Sequence, residues 1–312
     1  MNRAAYYGLA TAAYGLILLT LAAIEDVLAR GLWRPFDIAS YYGLAASAVS
    51  TINAVVDAYT SPLLVFDAGM LSQYRIFIVG FFCLASAVLV LEMGRRLYGG
   101  AAGFVAGLLF ALNVAGAQGH VTIAEAMALT LALLSAYTLL FMDGRYVVPG
   151  LCAGVAACFK PLVILLLPAS LFFIYKRGGP RDLLAFAGAA LLPLVLMAAM
   201  AFAVYGGNAP TMAADSGFEA AGFVTAEGFR SPDALMAVAN IVLSACLLAS
   251  MLPLALLGFS RKHGLSEEYF LAAGLCLAAT VLLRQYLHYW FIALPFLALL
   301  CAGALVRRPS HE

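Results

Sequence analysis

Apolar stretches near residues 5–24, 74–94, 101–118, 121–141, 183–204, 234–258 and 287–306 recur along this chain. A helix needs about 20 apolar residues, within roughly 17–25, to cross the hydrocarbon core of a bilayer. Each stretch meets that length. Backbone N–H and C=O groups in lipid must be bonded within their own segment, so such stretches are predicted to be helices. Composition agrees, with 65% apolar and 11% charged residues, where a soluble domain carries about 25% charged. The mean hydropathy is +1.00. The expected fold is therefore all-α: a polytopic helical bundle forming a single integral membrane domain over residues 1–312. The net charge of +1 says nothing of a nucleic-acid partner, and no basic run suggests one, so none is expected.

Two regions fit the pattern less simply. Residues 147–175 form a long apolar run interrupted by Lys160-Pro161. Proline lacks the N–H that a helix needs and disfavours helix in the residue before it. This run is predicted to be two short helices meeting at one face. Residues 269–283 are short for a span and end in Arg284-Gln285. Counting both, the sequence predicts about ten spans. The first apolar run, Ala4 to Ile24, is longer than a signal-peptide core of about 7–15 residues and lacks a clean small-residue cleavage site. It is read as a retained first span.

Charge sets the expected orientation, because cytoplasmic connectors carry excess Lys and Arg. With the N-terminus inside, the inner segments hold Arg3, Arg95, Arg96, Arg145, Lys176, Arg177, Arg181, Arg261, Lys262, Arg307 and Arg308. The outer side holds Arg30, Arg34, Arg75, Lys160, Arg230 and Arg284. Inner connectors are also shorter, so their basic density is higher. Both termini are expected in the cytoplasm of a cell-membrane protein. Cys83, Cys152, Cys158, Cys246, Cys276 and Cys301 lie in apolar segments without a CxxC pair. They read as small packing residues.

Two outer loops are long, over 25–73 and 205–233. The first belongs to an N-terminal, catalytic-type helical module, 1–175, and the second to the C-terminal spans, 176–312. In the first loop, Ile38, Tyr41, Tyr42, Ala45, Ala48, Val49, Ile52, Val55, Val56 and Tyr59 follow alternating three- and four-residue spacing. That is the pattern of an amphipathic helix. Its polar face favours lying in the membrane interface over spanning.

The ionisable residues gather on the predicted outer side. Asp37 opens the amphipathic helix, where it serves as an N-cap and can equally take a proton as a general base. Glu125 lies just inside the outer end of the fourth span. A charge within a membrane costs about 2.5–3.5 kcal/mol on insertion scales, so it faces a cavity or a partner. Lys160 and Arg284 stand at outer helix ends, with His288 one turn past Arg284. They can snorkel to headgroups, and His288 can also be a packing histidine. A His120–Glu125 metal pair is off-face on a helix at five-residue spacing. Glu25, Asp26, Asp67, Asp215, Glu219, Glu227 and Asp233 read as solvated loop charges or caps.

Taken in order, several pieces resemble the GT-C superfamily of membrane glycosyltransferases. These are Asp37 followed by Tyr41 and the amphipathic helix, then Tyr59-Thr-Ser-Pro62-Leu63-Leu64, RRLYGGAAGFVAGLLFAL at 95–112, GLCAGVAACFKPLVILLLP at 150–168 and RQYLHYWFIALPFLALL at 284–300. The mannosyltransferase branches are the nearest in pattern. The resemblance implies a hexosyltransfer on the extracytoplasmic face. A monosaccharide would move from a polyprenyl-phosphate donor to a hydroxyl of a glycan, lipid or protein acceptor. Asp37 would deprotonate that hydroxyl, usually with inversion at the anomeric carbon. Tyr41, Glu125, Lys160, Arg284 and His288 would bind substrate, Lys160 and Arg284 near the phosphate and Glu125 near the acceptor or assisting a metal. Several branches carry a second acid where this chain has Ile38 and Ala39. No metal site is assigned, and a divalent metal as cofactor stays open. Two other readings stand beside this one: a transporter or flippase for a lipid-linked or small substrate, and a non-catalytic relative that binds lipid-linked sugar. A transporter would favour internal repeats and mid-membrane polar groups; the halves of this chain show no convincing repeat.

Overall fold

A computed structural model describes residues 2–32, 68–115, 123–142, 144–205, 251–261, 263–284 and 291–305. The described chain is all-helical. In order it forms α1 (Arg3–Leu32), α2 (Ala68–Tyr98), α3 (Gly100–Ala115), α4 (Ile123–Phe141) and α5 (Val147–Phe159). A 3₁₀ segment (Pro161–Leu166) leads to α6 (Leu167–Arg177) and α7 (Pro180–Tyr205). Then come α8 (Met251–Arg261), α9 (Leu265–Arg284) and α10 (Leu294–Gly303).

By length and composition, two helical stretches among the described residues can cross a membrane: Ile78–Tyr98 and Pro180–Ala199. Shorter apolar stretches, such as Glu125–Phe141, Val147–Phe159 and Leu294–Gly303, run 10–17 residues. The expectation of about ten full spans thus holds at the coarser level of an all-helical fold with two membrane-length helices. The end of α5 has a local cause in the predicted break: Pro161 has no N–H to give the Ala157 carbonyl. Lys160 accordingly leaves the helix for an extended conformation (φ −144°, ψ 104°).

The boundaries of the first loop need correction. α1 continues through Glu25 and Asp26 to Leu32, and α2 begins at Ala68 rather than near 74. Charge ends a hydropathy run without ending a helix, since Glu, Leu, Ala and Arg are all good helix formers. Glu25 and Asp26 therefore lie within a helix, not in a loop. The amphipathic pattern from Ile38 to Tyr59 and the loop at 205–233 lie outside the described residues.

The helices alternate in direction, which brings the arginine-rich ends together. Glu92 of α2 accepts two bonds from the Arg95 guanidinium, at 2.7 and 2.9 Å, and one from Arg96 Nε at 2.6 Å. The Tyr7 hydroxyl of α1 donates to the same carboxylate. Arg96 also lies 5.1 Å from the ring centroids of both Tyr137 and Phe141 at the end of α4. Arg177 at the end of α6 donates to the carbonyls of Leu139 and Leu140, which the end of a helix leaves unbonded. Arg261 of α8 donates to the carbonyl of Ala304, just past α10. Arg95, Arg96, Arg177 and Arg261, assigned to one side from the sequence, thus share one end of the bundle.

Between the two ends the core is apolar. Tyr14, Phe110, Leu133, Phe291 and Phe296 are fully buried. Small residues let helices approach closely. A Cβ at Gly150 would meet the Phe186 carbonyl oxygen, and one at Gly154 the Ala190 carbonyl oxygen. The two glycines are four residues apart, as are the two carbonyls, so one face of α5 lies directly on the α7 backbone. This is the small-xxx-small contact common where helices pack without a hydrophobic driving force between them. The outer face of α7 is the reverse: Leu184, Leu191, Leu192, Val195 and Leu196 are each more than half exposed.

Gly154→Val is therefore expected to separate α5 from α7. Overpacking of this kind costs about 1–3 kcal/mol, and here the obstacle is backbone. The expected result is a lower midpoint in thermal unfolding of the detergent-solubilised protein. Gly188→Val is the control, because a Cβ there meets nothing within 4 Å; it should unfold near the wild-type temperature.

Candidate functional site

At the end of the bundle opposite the arginines, two charges predicted separately from the sequence meet. Glu125 is in the first turn of α4. Lys160 occupies the break between α5 and the 3₁₀ segment. Its Nζ donates to Glu125 Oε1 at 2.5 Å. The carboxylate side chain is 2% exposed and the lysine side chain 20%. The asymmetry matters, since part of the lysine side chain meets the surface and the carboxylate does not.

Local sequence explains both placements. The backbone departure at Lys160-Pro161 takes the lysine off the helical path and lets its side chain leave the apolar face of α5. Glu125 stands where the positive end of a helix dipole favours an anion. Just below it, Thr130 of α4 donates to the Ala126 carbonyl at 2.9 Å and lies 2.9 Å from the Ser86 hydroxyl of α2. These hydroxyls tie α4 to α2 under the charge pair. They were not singled out in the sequence, where lone Ser and Thr residues in apolar helices carry no signal of their own.

Arg284 is the last residue of α9. That helix packs on the 3₁₀ segment that follows Lys160 and on α6. α9 starts beside the arginine-rich end, where Glu267 faces Tyr98, so Arg284 closes it toward the Lys160 end. Asp37, Tyr41, His120 and His288 lie outside the described residues. Among the described residues no group of three or more His, Cys, Asp or Glu is placed to hold a metal ion. Cys83, Cys152, Cys158, Cys276 and Cys301 are free thiols.

The pair can do one thing chemically that neither residue does alone. A lysine ammonium at the surface is an anion ligand, and a buried carboxylate 2.5 Å away fixes where that ammonium points. The arrangement offers positive charge at one end of an apolar bundle, beside a helix break. Comparison of the chain with protein-family models, curated proteins and solved structures returned no match.

Proposed function

We propose that this protein is a multi-pass membrane glycosyltransferase of GT-C type. It moves a monosaccharide from a polyprenyl-phosphate donor to an acceptor hydroxyl on the extracytoplasmic face. Asp37 is the general base. Lys160 and Arg284 receive the phosphate charge as the carrier leaves, and Tyr41 and His288 complete the substrate contacts. Glu125 fixes Lys160, a narrower role than the acceptor contact expected from the sequence.

The observation that carries this reading is the separation of charge between the two ends of the bundle. Arg95, Arg96, Arg177 and Arg261 are engaged at one end, and the Glu125–Lys160 pair stands at the other. The first end fits cytoplasmic headgroups by the positive-inside rule. The second then faces outward, where a donor with its tail in the bilayer presents its phosphate. The exposed apolar face of α7 fits lipid contact.

A specific feature also favours transport: a broken helix with a charged residue at the break is a common substrate site in transporters. Purified protein with labelled polyprenyl-phosphate sugar and a panel of acceptors separates the two. The transferase reading expects label on the acceptor with release of polyprenyl phosphate. Uptake of substrate into proteoliposomes with no covalent transfer would support the transporter instead.

A further inference from the structure

We propose that Glu125 and Lys160 form a charge latch that sets how tightly the spent lipid phosphate is held. The inference rests on the reading of Lys160 as a phosphate ligand. With no anion bound, the ammonium is seated on Glu125 Oε1 at 2.5 Å. A phosphate oxygen arriving from outside must draw it away from a carboxylate that is itself out of reach at 2% exposure. Glu125 thus competes with every phosphate that binds. The competition weakens both donor and released carrier, and it gives the ammonium somewhere to return when the carrier departs.

Three observations support the exchange. Lys160 is in an extended break rather than in a helical turn, so its side chain is not confined to one helix face. Behind it, α5 is pinned to α7 through Gly150 and Gly154, so the ammonium can move while the helix stays. Glu125 opens α4, whose Thr130 hydroxyl lies 2.9 Å from the Ser86 hydroxyl of α2, so this end of α4 stays with the bundle.

The latch makes an unusual prediction, that removing a buried charge improves binding. The probe is a short-chain polyprenyl monophosphate, titrated into detergent-solubilised full-length protein. Glu125→Gln should bind it about tenfold more tightly than wild type. Glu125→Asp, whose carboxylate is shorter by one methylene, should fall between the two and serves if the glutamine variant folds poorly. The swapped pair Glu125→Lys with Lys160→Glu keeps the attraction but moves the positive charge to the buried position; it should lose binding. A purely structural brace would leave the affinity of Glu125→Gln unchanged or lower, and that result would overturn the proposal, as would a wild-type protein that does not bind the probe. The transferase reading fails separately: wild type that binds the probe with the expected order of variants, yet transfers no sugar, keeps the latch and removes the transferase.

Discussion

Asp37→Asn is expected to lower the rate of sugar transfer by about 10²–10⁴-fold, the usual contribution of a positioned general base. The substitution separates two roles that share one side chain. Asn ranks with Asp as an N-cap, so the start of the amphipathic helix predicted over 38–59 should survive. What is lost is the ability to take a proton from the acceptor hydroxyl. A base that acts on the acceptor hydroxyl leaves donor binding largely untouched, so KM for the donor should stay close to wild type while kcat falls. Steady-state transfer at saturating acceptor reads both. Turnover at the wild-type rate would remove Asp37 from the mechanism.

The second large effect is on stability. Lys160→Met removes the ammonium that lies 2.5 Å from a carboxylate with 2% exposure. Taking one member of a buried pair costs about 3–5 kcal/mol, because the remaining charge stays in a poor dielectric. The expected result is a large drop in the thermal midpoint of the solubilised protein. Adding Glu125→Gln should recover most of it, since replacing both members of a buried pair is often close to neutral. The double variant should still fail to transfer sugar, because the charge proposed to meet the phosphate is gone. Stability and activity thus separate in one pair of variants. Equal midpoints for the single and double variants would mean that the two charges are not coupled.

The break at Lys160-Pro161 was legible in the sequence because proline's missing N–H acts locally and needs no knowledge of neighbours. The grouping of the arginines at one end was legible too, since Arg95-Arg96, Lys176-Arg177 and Arg261 stand at ends of apolar runs. Their shared end follows from simple alternation of helices. The limits of α1 were not legible: Glu25-Asp26 marks where hydrocarbon could end, and hydropathy does not report that the helix continues.

The pairing of Glu125 with Lys160 required information that a single sequence lacks. Each is the lone charge near one end of its apolar helix, so the sequence gives the side on which each emerges. It does not give the lateral order of helices, and 35 residues separate the two. The same limit applies to Gly150 and Gly154, which read as a glycine-rich helix without naming α7 as the surface they meet. For Asp37, Tyr41 and His288, outside the described residues, the sequence remains the whole argument.

The most direct test is to map where the donor binds. A polyprenyl-phosphate sugar analogue with a photoreactive group beside the phosphate can be activated on the purified protein and the labelled peptides sequenced. Label concentrated on peptides containing Asp37, Glu125, Lys160 and Arg284 is the predicted result. Label concentrated instead on the opposite end, around Arg95, Arg96 and Arg177, would contradict the account.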